Sequence, residues 1–272
     1  MARIDSLHVY PVKSCRGIEL ATATLAPSGL AHDREWLIVD SRDHFLTQRD
    51  LPRMALLQTR LTDTHLELAT AQRPLLQVPL RHEGQRRTVS IWRTQVPAFD
   101  AGDEAAGSLS GLLERPVRLV RFDSAHQRLS NSEWTGAVAA PNFFTDGYPV
   151  MVLSRASLED LNARVGRQLD MNRFRPNIVL DGVEAYAEDR IHEIHAGEVT
   201  LRLVKPCTRC VITATDQQTG LRDGDEPLRT LKEYRFDKAL RGVVFGMNAV
   251  IVRGQGATLA RGQHVTALES RP

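Results

Sequence analysis

The chain has 272 residues, 42% of them hydrophobic and 25% charged, an ordinary globular composition that excludes a fibrous or disordered protein and leaves room for one large domain or two small ones. A net charge of +2 is too slight for a nucleic-acid-binding face, and no run approaches the roughly 20 apolar residues of a membrane helix. Three cysteines (Cys15, Cys207 and Cys210) make no disulfide framework and point to a reducing compartment. Residues 1–15 lack the basic and apolar regions of a secretory signal, so the expectation is a soluble, cytoplasmic protein without membrane or nucleic-acid partners.

The first half reads as strands. Apolar and polar residues alternate over 4–12 and 18–25. Residues 36–39 and 45–48 flank the turn-rich Asp40-Ser41-Arg42-Asp43, the pattern of a hairpin. Further short strands are expected at 56–61, 65–68, 75–80 and 88–92. Such close spacing suits a barrel or sandwich and not alternating βαβ units. A helix fits 104–115, where Ala105, Leu109, Leu112 and Leu113 share one face, with Asp103 as N-cap and Pro116 ending it. Residues 117–122 are a strand. Residues 124–144 are polar and irregular, and a loop of that length in a compact protein tends to carry function.

The second half opens with apolar 150–153. Ser157-Leu158-Glu159-Asp160 then starts a short helix through Val165. Strands are expected at 178–180 and 199–204, a helix at 228–234, and final strands at 243–252 and in the tail from Ala257. The chain divides between Asp123 and Phe144, giving parts 1–123 and 124–272.

The sharpest local feature is Lys205-Pro206-Cys207-Thr208-Arg209-Cys210. Two thiols three apart have four readings. They are half of a zinc site completed by His192 and His195, a thioredoxin-like redox pair, two buried thiols acting as small apolar residues, or one thiolate on a soft or high-valent metal, with Arg209 favouring the thiolate. The redox pair normally opens a helix, whereas Val211-Ile212-Thr213-Ala214-Thr215 is β-prone. From spacing alone, the buried apolar pair is favoured. Pro11-Val12-Lys13-Ser14-Cys15-Arg16-Gly17 offers two cations, a hydroxyl and a Gly at a strand end, either an anion cradle or a solvated basic turn. Asp33-Arg34-Glu35-Trp36 and Asn172-Arg173-Phe174-Arg175-Pro176-Asn177 are weaker, because Arg at a strand edge is ordinarily just a surface residue.

Taken together, and in this order, PVKSCRG, AHDREWL, FRPNIVLDG and KPCTRCVITATD resemble the MOSC family. They are most similar to its two-part branch, which carries an N-terminal β-barrel region and includes the amidoxime-reducing components. The resemblance runs from about Ile4 to nearly the C-terminus. It implies a mostly β protein with some helix, in two intertwined β-barrel-like parts, with a cleft between them. It further implies a pterin-based molybdenum cofactor with one cysteine thiolate on the metal, at the position of Cys210. Lys13, Ser14, Arg34, Arg175 and Asn177, with Thr208 and Arg209, match positions that hold the cofactor. Arg forks suit its phosphate and Asn its pterin edge.

Thr145-Asp146-Gly147-Tyr148 stands where the family often has Ser-Asp-Thr-Ser. Asp146 keeps register as a proton relay, and Gly147 and Tyr148 are left with backbone contacts. Asn248 stands in Gly246-Met247-Asn248, where some relatives read Gly-Gln-Tyr. The implied activity is reduction of N-hydroxylated small molecules: hydroxylamines, amidoximes or N-hydroxylated bases. No ferredoxin-like cysteine cluster follows, so a separate electron-donor protein is expected. The alternatives are a cofactor carrier or sulfur-handling protein with a persulfide on Cys210 and, further behind, a zinc-binding interaction module.

Overall fold

The computed structural model describes residues 1–72, 74–222 and 224–269. The protein is mostly β, with four α-helices among the described residues. Its largest sheet has nine strands and takes members from both halves of the chain. The order runs Thr266–Glu269, Ile191–Ala196, Val199–Thr208, Gly242–Arg253, Val150–Ser154, Ile178–Asp181, Arg3–Val9, Ile18–Leu20, with Phe236–Asp237 added beside Gly242–Arg253. The first strand of the chain thus pairs with Ile178–Asp181, with Leu7 opposite Ile178. This is the expected intertwining in concrete form.

A second sheet orders Trp36–Asp40, Val117–Phe122, Thr94–Asp100 and Arg86–Ile91. Two of its strands, Trp36–Asp40 and Val117–Phe122, are apolar on both faces because each face meets a different core. Trp36, Ile38, Val117 and Leu119 point one way, onto the helix Asp103–Leu113 and the three-stranded sheet of residues 58–79. Leu37, Val39, Val120 and Phe122 point the other way, onto Val89, Val96 and Phe144. Period-two alternation sorts the two sets, and each buried side chain contributes roughly 1.5–3 kcal/mol. Val150–Ser154 follows the same rule. Val150 and Val152 enter the core of the large sheet, while Met151 and Leu153 join Leu158, Leu161, Leu231 and Phe245 beneath two helices.

Several expected boundaries move. The strand begun at Arg3 stops at Val9, and 18–25 splits into Ile18–Leu20 and Thr22–Ala26, which pair with different partners. Residues 45–48 form no regular strand, but the chain folds back on Trp36–Asp40 as expected, through the bridge Val39–Phe45 and the bonds from Asp40 N to His44 O at 2.9 Å and from Leu46 N to Ile38 O at 2.8 Å. The expected strand 56–61 is shortened to Gln58–Leu61, behind a 3-10 turn at Pro52–Leu56.

Asp103 is the first helical residue and not the cap. Gly102 stands at the N-cap, and Asp100 Oδ1 accepts from its N–H at 2.9 Å. The helix ends at Leu113, with Glu114 left-handed at φ 54°. In the second half the cap lies earlier than expected. Ser154 Oγ accepts from Ser157 N at 3.1 Å, so the helix is Arg155–Val165. The β-prone 211–215 is instead a 3-10 turn at Val211–Ala214, held by Thr213, whose N–H and hydroxyl both donate to Cys210 O. Thr94–Asp100 and Ile191–Ala196 are strands not foreseen from the sequence.

Candidate functional site

The strand Val199–Thr208 carries the two-thiol motif to the edge of a cleft. Its pairing with Gly242–Arg253 shifts register at three places, two of them around Lys205 and Pro206. Bulges and a proline bend a strand and re-aim its end. Here they turn 205–210 inward. All thirteen residues singled out from the sequence line the resulting cavity of about 190 Å³: Lys13, Ser14, Arg34, Thr145, Asp146, Gly147, Tyr148, Arg175, Asn177, Thr208, Arg209, Cys210 and Asn248.

One wall is the turn after the first strand. Ser14 is left-handed at φ 66°, and its carbonyl accepts from Gln48 Nε2 at 2.8 Å. Lys13 is 6% exposed. Its Nζ donates to Phe144 O at 2.8 Å and to Asp146 Oδ1 at 2.6 Å. Burial lowers the Lys13 pKa, and Asp146 only partly restores it. Asp146 is 67% exposed to water, although it sits deep among cations. Burial opposes its ionisation, but Lys13, with Arg49 and Arg34, outweighs this and holds the carboxyl well below the usual range.

Tyr10 organises the next wall. Guanidiniums of Arg34 and Arg175 each lie 4.2 Å from its ring centre, and Gly17 is required because a Cβ there would fall 2.4 Å from the ring. Arg34 is fixed by Asp33 Oδ2 at 2.5 Å and by the carbonyl of Arg175 at 2.9 Å. Arg175 donates from Nη1 to Cys15 O at 2.8 Å. Burial and the neighbouring Arg34 bring its pKa down to about 10. Burial raises the Cys15 thiol to about 12, as suits a packed thiol and not a nucleophile.

The two thiols differ. Burial raises the Cys207 pKa, and its side chain packs on the cluster around Phe174 and Phe245. Both line the cleft, but it is the Cys210 Sγ that accepts from Arg49 Nη2, at 3.2 Å. The cation at the thiol is therefore Arg49 and not Arg209. The Arg209 guanidinium is spent on Phe245 O at 2.8 Å and Phe174 O at 2.9 Å, tying the motif to its neighbours. Asn177 is likewise used structurally. Its Oδ1 accepts from Met151 N at 3.1 Å and its Nδ2 donates to His8 O at 3.1 Å. Asn248 Nδ2 donates to Lys205 O at 3.3 Å. Tyr148 places its ring 5.8 Å from Lys205 Nζ, so its side chain as well as its backbone faces the cleft.

Sequence reasoning missed Arg49, Arg173 and Lys205, which also line the cavity. Arg173 stands in the segment quoted for Arg175, which was its one visible signal. Nothing in the sequence around Arg49 marks it. Arg173 is 6% exposed and donates to Asp216 Oδ2 at 2.6 Å, while its Nε and Nη1 are buried without partners, as is Nη2 of Arg175. Unmet guanidinium donors of this kind call for an acceptor that the protein does not supply. With Lys13, Arg34, Arg49, Lys205 and Arg209 around them and Asp146 as the one acid on the lining, they fit an anionic ligand. The thiol of Cys210 adds a soft metal ligand.

A zinc reading fits poorly. Among the described residues no three His, Cys, Asp or Glu side chains converge on a metal position. His195 pairs with Thr200, seven residues along the strand from Cys207, a separation on the order of 20 Å. Among the described residues no helix is long and apolar enough to cross a membrane.

Comparison with known proteins gives two domain matches, a MOSC N-terminal beta barrel domain at residues 1–116 and a MOSC domain at residues 139–266. The chain is 35% identical to mitochondrial amidoxime-reducing component 1 of Mus musculus, over 89% of this chain and 74% of that protein. It is 33% identical to mitochondrial amidoxime reducing component 2 of Rattus norvegicus, over 86% of this chain and 72% of that protein. It is also 33% identical to component 1 of Homo sapiens, over 85% and 72%.

Proposed function

Since the chain belongs to the MOSC family, in the branch with an N-terminal β-barrel that includes the amidoxime-reducing components, we propose that it is a molybdenum-cofactor-dependent reductase of N-hydroxylated compounds. The observation that carries this reading is the convergence of residues 13–14, 34, 145–148, 173–177, 205–210 and 248 on one cation-rich cleft with a cysteine at its wall.

The residues fit the cofactor. Cys210 would ligate the metal, with Arg49 Nη2 3.2 Å from its sulfur. Arg173 and Arg175 would hold the anionic end with the donors that the protein leaves unmet, and Lys13 and Arg34 would add their charge. Ser14, Thr145, Gly147, Tyr148, Thr208 and Asn248 would line the pterin side. Asn177 and Arg209 act through the backbone segments that they tie together.

The bound cofactor supplies the two-electron chemistry that cleaves an N–O bond. Each turnover takes two electrons and two protons, releasing the amine or amidine and water. Asp146 is the proton relay, and the proton of its pair resides on Lys13 Nζ, because the carboxyl is held ionised. Electrons come from a separate donor protein, docking transiently through a small polar contact.

The test is protein made in a molybdate-supplied host, analysed for metal and pterin and assayed on an amidoxime with reduced viologen. About one molybdenum per chain is expected. Cys210→Ala should abolish turnover and Cys207→Ala should keep most of it. Full loading with no turnover, and rapid transfer of cofactor to an apo-enzyme, would replace the reductase with a carrier.

A further inference from the structure

A second, wider cavity of about 650 Å³ opens beside the cleft and shares Thr47, Arg49 and Asp146 with it. The shared residues place the two cavities side by side, with Arg49 between the second cavity and Cys210. The outer wall of the second cavity is the two-residue turn Trp92-Arg93, closed by the pairing of Ile91 with Thr94. Trp92 is at φ 55° and 48% exposed. A first turn position with positive φ suits Gly, and an indole gains little by standing in water. Strained, exposed aromatic residues beside a cavity point to a ligand.

The indole has company that favours flat π systems. The Phe45 ring centre is 5.0 Å away at a tilt of 56°, and the Arg49 guanidinium lies 4.7 Å from the indole centre. Arg49 also reaches Cys210 Sγ at 3.2 Å, so one side chain spans from the aromatic wall to the thiol.

The charges on this wall do not cancel. Asp146 is paired with Lys13, and Asp50 Oδ2 accepts from both the N–H and the hydroxyl of Thr47 at 3.1 Å. Arg128 donates to the neutral acceptors Asn142 Oδ1, Phe143 O and Thr145 O. Arg93, at the tip of the turn, has no ion-pair partner among the described residues. Arg49, Arg93 and Arg128 thus stand against Asp50 and Asp146 on the lining, and with Asp146 paired to Lys13 the balance at this wall is positive.

We propose that this second cavity is the substrate subsite and that it selects a planar aromatic N-hydroxylated compound carrying an anionic group. The ring lies against Trp92 and the anion faces Arg93 and Arg128. This rests on the reductase reading above.

The experiment compares benzamidoxime with 4-carboxybenzamidoxime on the cofactor-loaded protein, with 4-carboxybenzamidine as a non-reducible probe of Trp92 fluorescence. The carboxylated substrate should show a KM about tenfold lower, the equivalent of one good charged contact. Trp92→Gly, which suits the backbone at φ 55° and so does not threaten folding, should raise KM for both compounds about tenfold with kcat little changed. Trp92→Phe should recover most of that loss. Arg93→Glu should erase the preference for the carboxylate and keep the preference for the ring. Equal KM values for the two substrates, or an unmoved KM in Trp92→Gly, would overturn the subsite while leaving the reductase standing. If neither compound is reduced, the reductase reading falls and the fluorescence titration decides the subsite. Quenching by the carboxylated probe that disappears in Trp92→Phe supports it, and no quenching overturns it.

Discussion

Replacing Lys13 by Met removes one ammonium and keeps a side chain of nearly the same length. The Lys13 bond to Phe144 O, 2.8 Å long and buried, is a charged hydrogen bond whose loss costs about 1.5–3 kcal/mol. The bond to Asp146 is worth about 1 kcal/mol at most, because that carboxylate is 67% exposed and water screens it. Freeing the fold from a buried ammonium works in the other direction. The net loss expected for Lys13→Met is therefore about 2 kcal/mol. Urea unfolding of cofactor-free protein at neutral pH measures it, as a lower midpoint at an unchanged slope. A cycle with Asp146→Asn should return a coupling of about 1 kcal/mol or less. A Lys13→Met protein as stable as the parent would refute the view that the ammonium anchors the 144–146 segment. A coupling above about 3 kcal/mol would show the pair to be dry, against its exposure.

Other expectations follow from neighbouring residues. Because Asp146 is held well below its unfolded value of about 3.9, its contribution is whole above that pH and drains away as pH falls through the lower folded value. Asp146→Asn should therefore lower stability at neutral pH, by about 1 kcal/mol or less given the exposure of the carboxylate, and flatten the acid limb below about pH 4, where the two proteins converge. Arg49→Met should slow alkylation of Cys210 by iodoacetamide several-fold at pH 7, since the cation 3.2 Å from its sulfur is gone. An unchanged rate would remove Arg49 from the thiol's electrostatics. Gly246 is at φ 75°, and a Cβ there would fall 2.4 Å from Met151 Cε and 2.8 Å from Val152 O. Gly246→Ala should cost about 2–4 kcal/mol by thermal or urea unfolding, and a loss under about 1 kcal/mol would show that the strand can shift to accept it.

Strands were legible where a single face was buried in an alternating pattern, as in residues 65–69, or where both faces were apolar, as in Trp36–Asp40. Thr94–Asp100 was missed because Pro97 and an exposed, polar start break the pattern. Ile191–Ala196 was hidden by two histidines between its buried isoleucines. The turn at Val211–Ala214 overrode β-prone side chains because Thr213 closes locally onto Cys210 O.

The site was legible through four matched segments and not through spacing, since the two-thiol motif alone favoured a packed apolar pair. Arg209 illustrates the limit. Its place beside Cys210 in sequence suggested electrostatic help, whereas backbone geometry turns its guanidinium to two carbonyls and brings in Arg49 from 161 residues away. Contacts of that range are set by topology and leave no local trace.

The shared sheet has a consequence for the order of events in biosynthesis. Lys13 and Ser14 leave the ribosome early, but the strand before them finds its partner only at Ile178–Asp181, and the far wall of the cleft arrives with Cys210 and Asn248. At roughly 5–20 residues per second, the N-terminal strand waits about ten seconds or longer for that partner. On the proposed reading, a cofactor would be gripped only once both walls are in place, so loading would follow synthesis of most of the chain, and a chain cut between the two domains should yield halves that each lack part of the grip.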